Sequence, residues 1–325
     1  MKNIEKYKNL TGGLKQKINS NVWNYNAIAN NSHLSQSTNK VSLDSLPATF
    51  RLWDSEIKNQ QDKGTCAAHA MASAMEILEY YDTGDRNQFS TSWYYGYRKN
   101  TDSQEEGMYL TELLDNARTV GGVYKSLMPD NLHYSDSKNL INDMKHKCLI
   151  EAKKHRIKNY ARINSPQEIM MAIYENNSPV MIGAMIYESF YNTTGTGIVP
   201  PVDYNKENCY GGHAMLCIGW VTIKDDIYLV VKNSWGEQWG DNGYCYFRIK
   251  DNLPFFEMYV IFDLQNYNIT FSDIKDRWSK QYIEESIRMG LLNGYEDGTF
   301  KPTQNITREE MAVIISKIMN KFKYL

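Results

Sequence analysis

Between Pro179 and Trp235 the sequence carries three apolar runs, PVMIGAMIY, HAMLCIGWV and IYLVVKNSW, rich in β-branched and aromatic residues and bounded by Gly, Asn and Asp. Runs of this length and texture are strands, and three so closely spaced predict a largely antiparallel second half. The stretch before them reads differently. From Phe89 to about Ile157 short helical patterns such as YLTELLDNARTV alternate with loops such as NTDSQEEGM, which predicts a mainly helical half, and SPQEIMMAIYENNSP is a helix closed by a turn. Helical half followed by strand half gives an α+β class. At 325 residues the chain has room for a core of roughly 200 to 250 residues and a small appendage. Residues 1–45, rich in Asn, Ser and Lys with little hydrophobic period, read as an arm or short leader that is cleaved or lies across the core.

The helical half opens with a cysteine. LPATFRLWDSEIKNQQDKGT is turn-rich and runs into CAAHAMASAMEILEYY, whose Ala, Met and Leu favour a helix, so Cys66 stands at or near a helix N-terminus. A thiol with an ordinary pKa of about 8.5 is little ionised at neutral pH, and a helix N-terminus or a positive neighbour favours its thiolate. Six residues earlier, Gln60 can fold back through the Asp62-Lys63-Gly64 turn and offer its amide, with the Cys66 backbone N–H, to an oxyanion. A base for the thiol should come from far along the chain. GGHAMLCIGW offers His213, with Gly211 and Gly212 leaving the backbone uncrowded and an apolar strand fixing the ring. VVKNSWGEQWGDNGYCYFRI puts Asn233 at the end of another strand, where its side chain can orient the imidazole, with Trp235 to shield that bond from water. His69, three residues after Cys66, is a rival base on one helix face, but it points along the helix flank and suits packing or a pocket better.

The order Gln60, Cys66, His213, Asn233, together with the NSWGxxWGxxGY block, resembles the papain-like cysteine peptidases over residues 46–265. The resemblance implies a two-lobed fold, a helical lobe against an antiparallel β-barrel-like lobe, with the active site in the cleft between. It implies peptide-bond hydrolysis through an acyl-enzyme on Cys66, with His213 protonating the leaving amine and no cofactor or metal. Gly107 and Met108 fall where the family holds the substrate backbone, and Gly212 leaves room for an apolar side chain two places before the scissile bond. Two positions depart from the family: Lys63 stands where a disulfide cysteine is usual and Ala67 where an aromatic is usual. The arm is shorter than the family's inhibitory propeptide and is expected to occlude the cleft in its place. Two other readings stand beside it: acyl transfer to an amine, which uses the same Cys-His-Asn triad, and a degenerate scaffold acting as a cell-wall-binding module, against which the retention of all four catalytic residue types argues.

The end of the chain, FSDIKDRWSKQYIEESIRMGLLNGYEDGTFKPTQNITREEMAVIISKIM, turns helical again. Trp278, Ile283 and Ile287 supply an apolar stripe, GYEDGTF makes a tight turn through Gly294 and Gly298, and Thr307 with Glu310 forms a capping box. Residues 271–322 resemble an S-layer homology domain. That implies a glycan pocket for anionic secondary cell-wall polysaccharide lined by Trp278, Gly294, Asp297 and Arg308, and a place at the cell surface or wall.

Other classes are disfavoured. A net charge of −2 without a long Lys/Arg block gives nucleic acid no footprint. No stretch of roughly 18 apolar residues spans a membrane, and MKNIEKYKNLTGGLKQK lacks the apolar run of a secretory signal. Five cysteines, Cys66, Cys148, Cys209, Cys217 and Cys245, are an odd set without zinc-site spacing, so at least one thiol is free.

Overall fold

The computed structural model describes residues 43–98, 107–193, 195–264 and 301–322 continuously, with scattered positions in the arm (Tyr7, Thr11, Leu14, Lys15, Val22, Asn24, Tyr25) and between 271 and 300. The chain divides into two compact units, Met1–Leu264 and Gln265–Leu325.

In the first unit the helical lobe holds α1 (Cys66–Thr83), α2 (Thr91–Gly96), α3 (Leu110–Thr119), α4 (Tyr134–Asp143) and α5 (Lys145–Ala152). Helix α1 is buried from Cys66 through Glu79, and this explains its composition: with little solvent face to present, small Ala and adaptable Met fill the space around it. Gly84, in the left-handed region at φ 80°, ends the helix and its N–H bonds the Tyr80 carbonyl. Helix α6 (Pro166–Asn176) follows the pattern read from SPQEIMMAIYENNSP. The Ser165 hydroxyl accepts from the Glu168 N–H, Pro166 occupies the first turn, and Asn177 turns the chain out at φ 47°.

The second lobe is a seven-stranded antiparallel sheet: β1 (Phe50–Arg51), β2 (Ile157–Arg162), β3 (Val180–Tyr187), β4 (Cys209–Ile223), β5 (Asp226–Lys232), β6 (Tyr244–Arg248) and β7 (Phe255–Leu264). The order is β2-β7-β3-β4-β5-β6, with β1 on β4. β2 and β6 remain edges, so the sheet is open where a barrel-like closure was expected. The three strands foreseen between Pro179 and Trp235 are its centre. His213 lies opposite Ala184, and Ala214 opposite Gly183, which in turn faces Glu257 of β7.

In the second unit, Ile274 and Ile283 form a small core with Phe271, Leu292 and Phe300 packed on it. The Asp273 carboxylate accepts the N–H groups of Phe300 and Lys301 at 2.9 and 2.7 Å, tying these two residues to the start of the unit. Helix α7 (Arg308–Phe322) begins at the foreseen capping box, with Thr307 N–H donating to Glu310 and Glu310 N–H donating to Thr307 Oγ1, at 2.7 and 3.1 Å. One expectation is corrected. Trp278 does not share the stripe of Ile283 but stands 88% exposed with its ring edge on Tyr282. Ile287, Gly294, Asp297 and Gly298 lie outside the described residues.

Candidate active site

Cys66 is the first residue of α1 and fully buried. Burial pushes its thiol up to about 11, against backbone hydrogen bonds from Ala214, Ala67 and Cys66 itself that favour the thiolate. The bond from Ala214 places the sulfur on the β4 backbone next to His213.

His213 lies within β4, four residues past the strand's first residue, and is also fully buried. Its Nε2 is 2.7 Å from Asn233 Oδ1. That oxygen also accepts the Ser234 N–H at 2.8 Å, which fixes the amide the right way round: an oxygen faces the ring, so Nε2 carries the hydrogen. Nδ1 is then a bare lone pair, buried and without a hydrogen-bond partner among the described residues. Burial holds the imidazole down at about 4, only partly offset by Asn233. Trp235 packs against the ring at a centroid distance of 4.9 Å, tilted by 40°.

Gln60 is brought in by a strand-like pairing absent from the sequence reading. Its N–H donates to the Ser234 carbonyl at 2.8 Å, Asn59 bridges Trp235, and the Gly236 N–H reaches the Lys58 carbonyl. The Gln60 side chain is held at both ends, Oε1 by the Ser234 hydroxyl at 2.7 Å and Nε2 on the Lys63 carbonyl at 2.8 Å. Two lysines hold this loop, the half-buried Lys58 within it paired with Glu76 at 2.7 Å and the buried Lys232 bound to Ser55 and Asp54. They anchor the loop from both lobes. His69 is turned away, its Nδ1 on the Thr65 carbonyl at 3.0 Å and its ring buried and held down at about 4 by that burial.

Two described residues of the arm, Leu14 and Lys15, pair with backbone of both lobes. Lys15 N–H donates to the Met108 carbonyl at 2.9 Å and Leu14 N–H to the Gly212 carbonyl at 3.3 Å, so the arm bridges the two walls by its backbone. Gly212 lets it in, because a Cβ there would stand 2.5 Å from the Leu14 carbonyl oxygen. Thr11 Oγ1 donates to the Tyr210 carbonyl, and Tyr7 stacks on Trp235 at 5.3 Å. Tyr7, Thr11 and Leu14 carried no signal in the sequence because the arm has no period of its own. All five cysteines are free thiols, and Cys209 alone of them is exposed. Among the described residues no cluster of three metal-ligating side chains occurs, and no helix is long and apolar enough to cross a membrane.

A helical lobe and an antiparallel sheet meeting at a cysteine, a histidine and an asparagine define a papain-like protein. The model of the papain family of cysteine proteases matches residues 51–261, and the chain belongs to that family. The S-layer homology domain model matches residues 270–312. The chain is 30% identical over 99 residues to a cysteine protease of Blomia tropicalis (30% of this chain, 29% of that protein) and 35% identical over 115 residues to cathepsin B-like protease 1 of Arabidopsis thaliana (35% and 29%). The matched stretch thus spans less than a third of either relative's length. Cell surface glycoprotein 1 of Acetivibrio thermocellus is 44% identical over 54 residues, 16% of this chain and 2% of that protein. Among solved structures the fold is similar to xylellain, a cysteine protease from Xylella fastidiosa, with a TM-score of 0.63, 18% identity, and coverage of 79% of this chain and 97% of that one.

Proposed function

We propose that the protein is a cysteine endopeptidase that acts through an acyl-enzyme on Cys66, and that its own arm occupies the cleft in the resting state. The observation that carries the first part is the amide orientation at Asn233, which leaves the His213 Nδ1 lone pair free on the strand whose next residue bonds the Cys66 sulfur. In this reading Nδ1 takes the thiol proton as sulfur attacks the peptide carbonyl. The oxyanion is held by the Cys66 N–H and the Gln60 amide. His213 then gives the proton to the leaving amine, and water, activated by the same nitrogen, hydrolyses the thioester. Gly107, Met108 and Gly212 supply backbone groups to the substrate; Leu14 and Lys15 of the arm now use those of Met108 and Gly212, while the Gly107 carbonyl accepts from Arg98.

Burial supports the second part. A raised thiol and a lowered imidazole are both neutral at pH 7, the state expected when the arm keeps water from a pair that must form thiolate and imidazolium to react. The S-layer homology domain supports attachment to anionic wall polysaccharide at the cell surface.

The test is intact-mass analysis after a cysteine-directed epoxide, with turnover of fluorogenic peptides, on the full chain, on Leu14→Ala and on Cys66→Ala. One adduct and turnover are expected, slow in the full chain, faster in Leu14→Ala and lost in Cys66→Ala. Turnover that survives Cys66→Ala, or neither adduct nor turnover in a folded Leu14→Ala protein at any pH, overturns the reading.

A further inference from the structure

Arg98 follows α2 and is 2% exposed, yet among the described residues no carboxylate pairs with it. Its guanidinium lies between two tyrosine rings, Tyr95 of α2 at 4.3 Å and Tyr134 of α4 at 4.1 Å, and its Nη1 donates to the Gly107 carbonyl at 2.9 Å. Nε is buried without a hydrogen-bond partner among the described residues. A buried cation costs stability when no anion neutralises it, and two ring faces with one carbonyl offset only part of that cost. A methionine would join α2 to α4 with less penalty. What an apolar residue cannot do is hold the Gly107 carbonyl. That peptide has little local reason to stay as it is, because Gly107 sits at φ 103° and glycine takes φ of either sign with ease. In a trans peptide the C=O of one residue and the N–H of the next point in opposite directions. Drawing the Gly107 carbonyl toward Arg98 therefore turns the Met108 N–H away from it, to the side on which Met108 pairs with Leu14 and accepts the Lys15 N–H on its own carbonyl at 2.9 Å.

We propose that Arg98 is a positioning residue for the substrate: its bond to the Gly107 carbonyl holds the Met108 backbone in the orientation that pairs with an extended peptide. This rests on the peptidase reading for what that peptide is. Buried as it is, Arg98 acts through the Gly107–Met108 peptide and not by contact with the substrate. A charged donor suits the task, since a charge-assisted hydrogen bond is roughly twice as strong as a neutral one, and burial keeps water from competing for the carbonyl. The two rings fix the guanidinium from α2 and α4, so the cleft wall is set by three elements of the helical lobe: the end of α2, the start of α4 and the segment that leads into α3 at Leu110. If the Gly107–Met108 peptide turned over, a bound chain would lose its partners on this wall while the bond between His213 and Asn233 stayed as it is. The effect of Arg98 therefore belongs in KM more than in kcat.

The test uses the full chain carrying Leu14→Ala, with Arg98 kept, replaced by Met to fill the space between the rings, or replaced by Lys to restore a cation and a donor. On a fluorogenic tripeptide amide KM is expected to rise about tenfold in Arg98→Met with kcat within about twofold, and to lie between the two in Arg98→Lys. The same substrate is then N-methylated at each backbone nitrogen in turn. Where methylation raises KM about tenfold or more for the protein with Arg98, it is expected to change KM by less than about twofold in Arg98→Met, the Met108 backbone being already lost as a partner. No methylation penalty at any position, or equal penalties in the two proteins, overturns the proposal. A second measurement needs no catalysis: amide hydrogen exchange of the full chain with and without Arg98→Met. The Lys15 amide is expected to exchange about tenfold faster in Arg98→Met, with the amides of α1 and β4 unchanged. An unaltered Lys15 amide, or faster exchange throughout α2 and α4, would reduce Arg98 to a packing residue and overturn the proposal. Faster Lys15 exchange together with no turnover by the Leu14→Ala chain would uphold the positioning of Met108 and count against the peptidase reading alone.

Discussion

Asn233 takes two N–H donors on one oxygen, from His213 Nε2 and from Ser234, and leaves its own Nδ2 buried without a partner. The position therefore uses an acceptor on one side more than a complete amide, and in the proposed mechanism that acceptor decides which imidazole nitrogen is the base. Replacing Asn233 by Ala strands both donors. We expect kcat to fall about 10- to 100-fold with KM within about twofold, and stability to drop by about 1–2 kcal/mol, read from steady-state kinetics and thermal denaturation. An unchanged kcat would exclude ring orientation as the role of Asn233. Asn233 and His213 were legible in the sequence because each is flanked by an apolar strand with glycines or tryptophans beside it. Ser234, which joins Asn233 to Gln60, was not, since a serine after an asparagine signals only a turn. Glu257 was equally silent: in PFFEMYVIF a single acid reads as the solvent side of a strand, and only its pairing with Gly183 turns it inward.

At the scale of elements, β4 is the hinge of the site. It carries Gly212 against the arm, His213 against Asn233 and Ala214 against the Cys66 sulfur in three successive residues. Gly212 and Ala214 act through their backbone and His213 through its ring, so one strand touches the arm, the thiol and the asparagine together. Gly212 has no left-handed φ, and the Leu14 carbonyl oxygen and Cβ are what an added Cβ would meet. Gly212→Ala should therefore displace the arm while leaving β4 intact. The alkylation rate of Cys66 by iodoacetamide is expected to rise about tenfold or more, the thiol no longer being kept from water and reagent. An unaltered rate, with the far-ultraviolet circular dichroism unchanged, would mean that the arm does not gate the thiol. The strand pattern and α6 were readable from periodicity and caps. The pairing of residues 58–60 with 234–236, and of the arm with both walls, was not, because each is a non-local backbone contact between segments without periodic side chains.

The whole molecule joins two units of different kind, a papain-family unit and an S-layer homology domain. The second exposes Trp278 and Arg308, an aromatic ring and a guanidinium in the pattern that suits an anionic glycan. Arg308→Ala should reduce co-sedimentation of the full chain with bacterial walls by about tenfold in affinity, a charge-assisted contact being worth roughly 1.5–3 kcal/mol, without altering peptide turnover. Equal pelleting of the two proteins, or pelleting undiminished on walls stripped of anionic polysaccharide, would count against wall attachment through this arginine. By itself the sequence determined the α+β class, the family, the helix-start cysteine and the capping box of α7, because those are local patterns of propensity, spacing and hydrogen-bonding type. The tertiary structure alone decided that the sheet stays open, that Trp278 leaves the core, that Leu14 and Lys15 pair with Gly212 and Met108, and that Glu257 comes to lie across from Gly183. The physical reason is common to all four: each depends on which distant backbones come within hydrogen-bonding or van der Waals reach, and that is settled by packing of the whole chain.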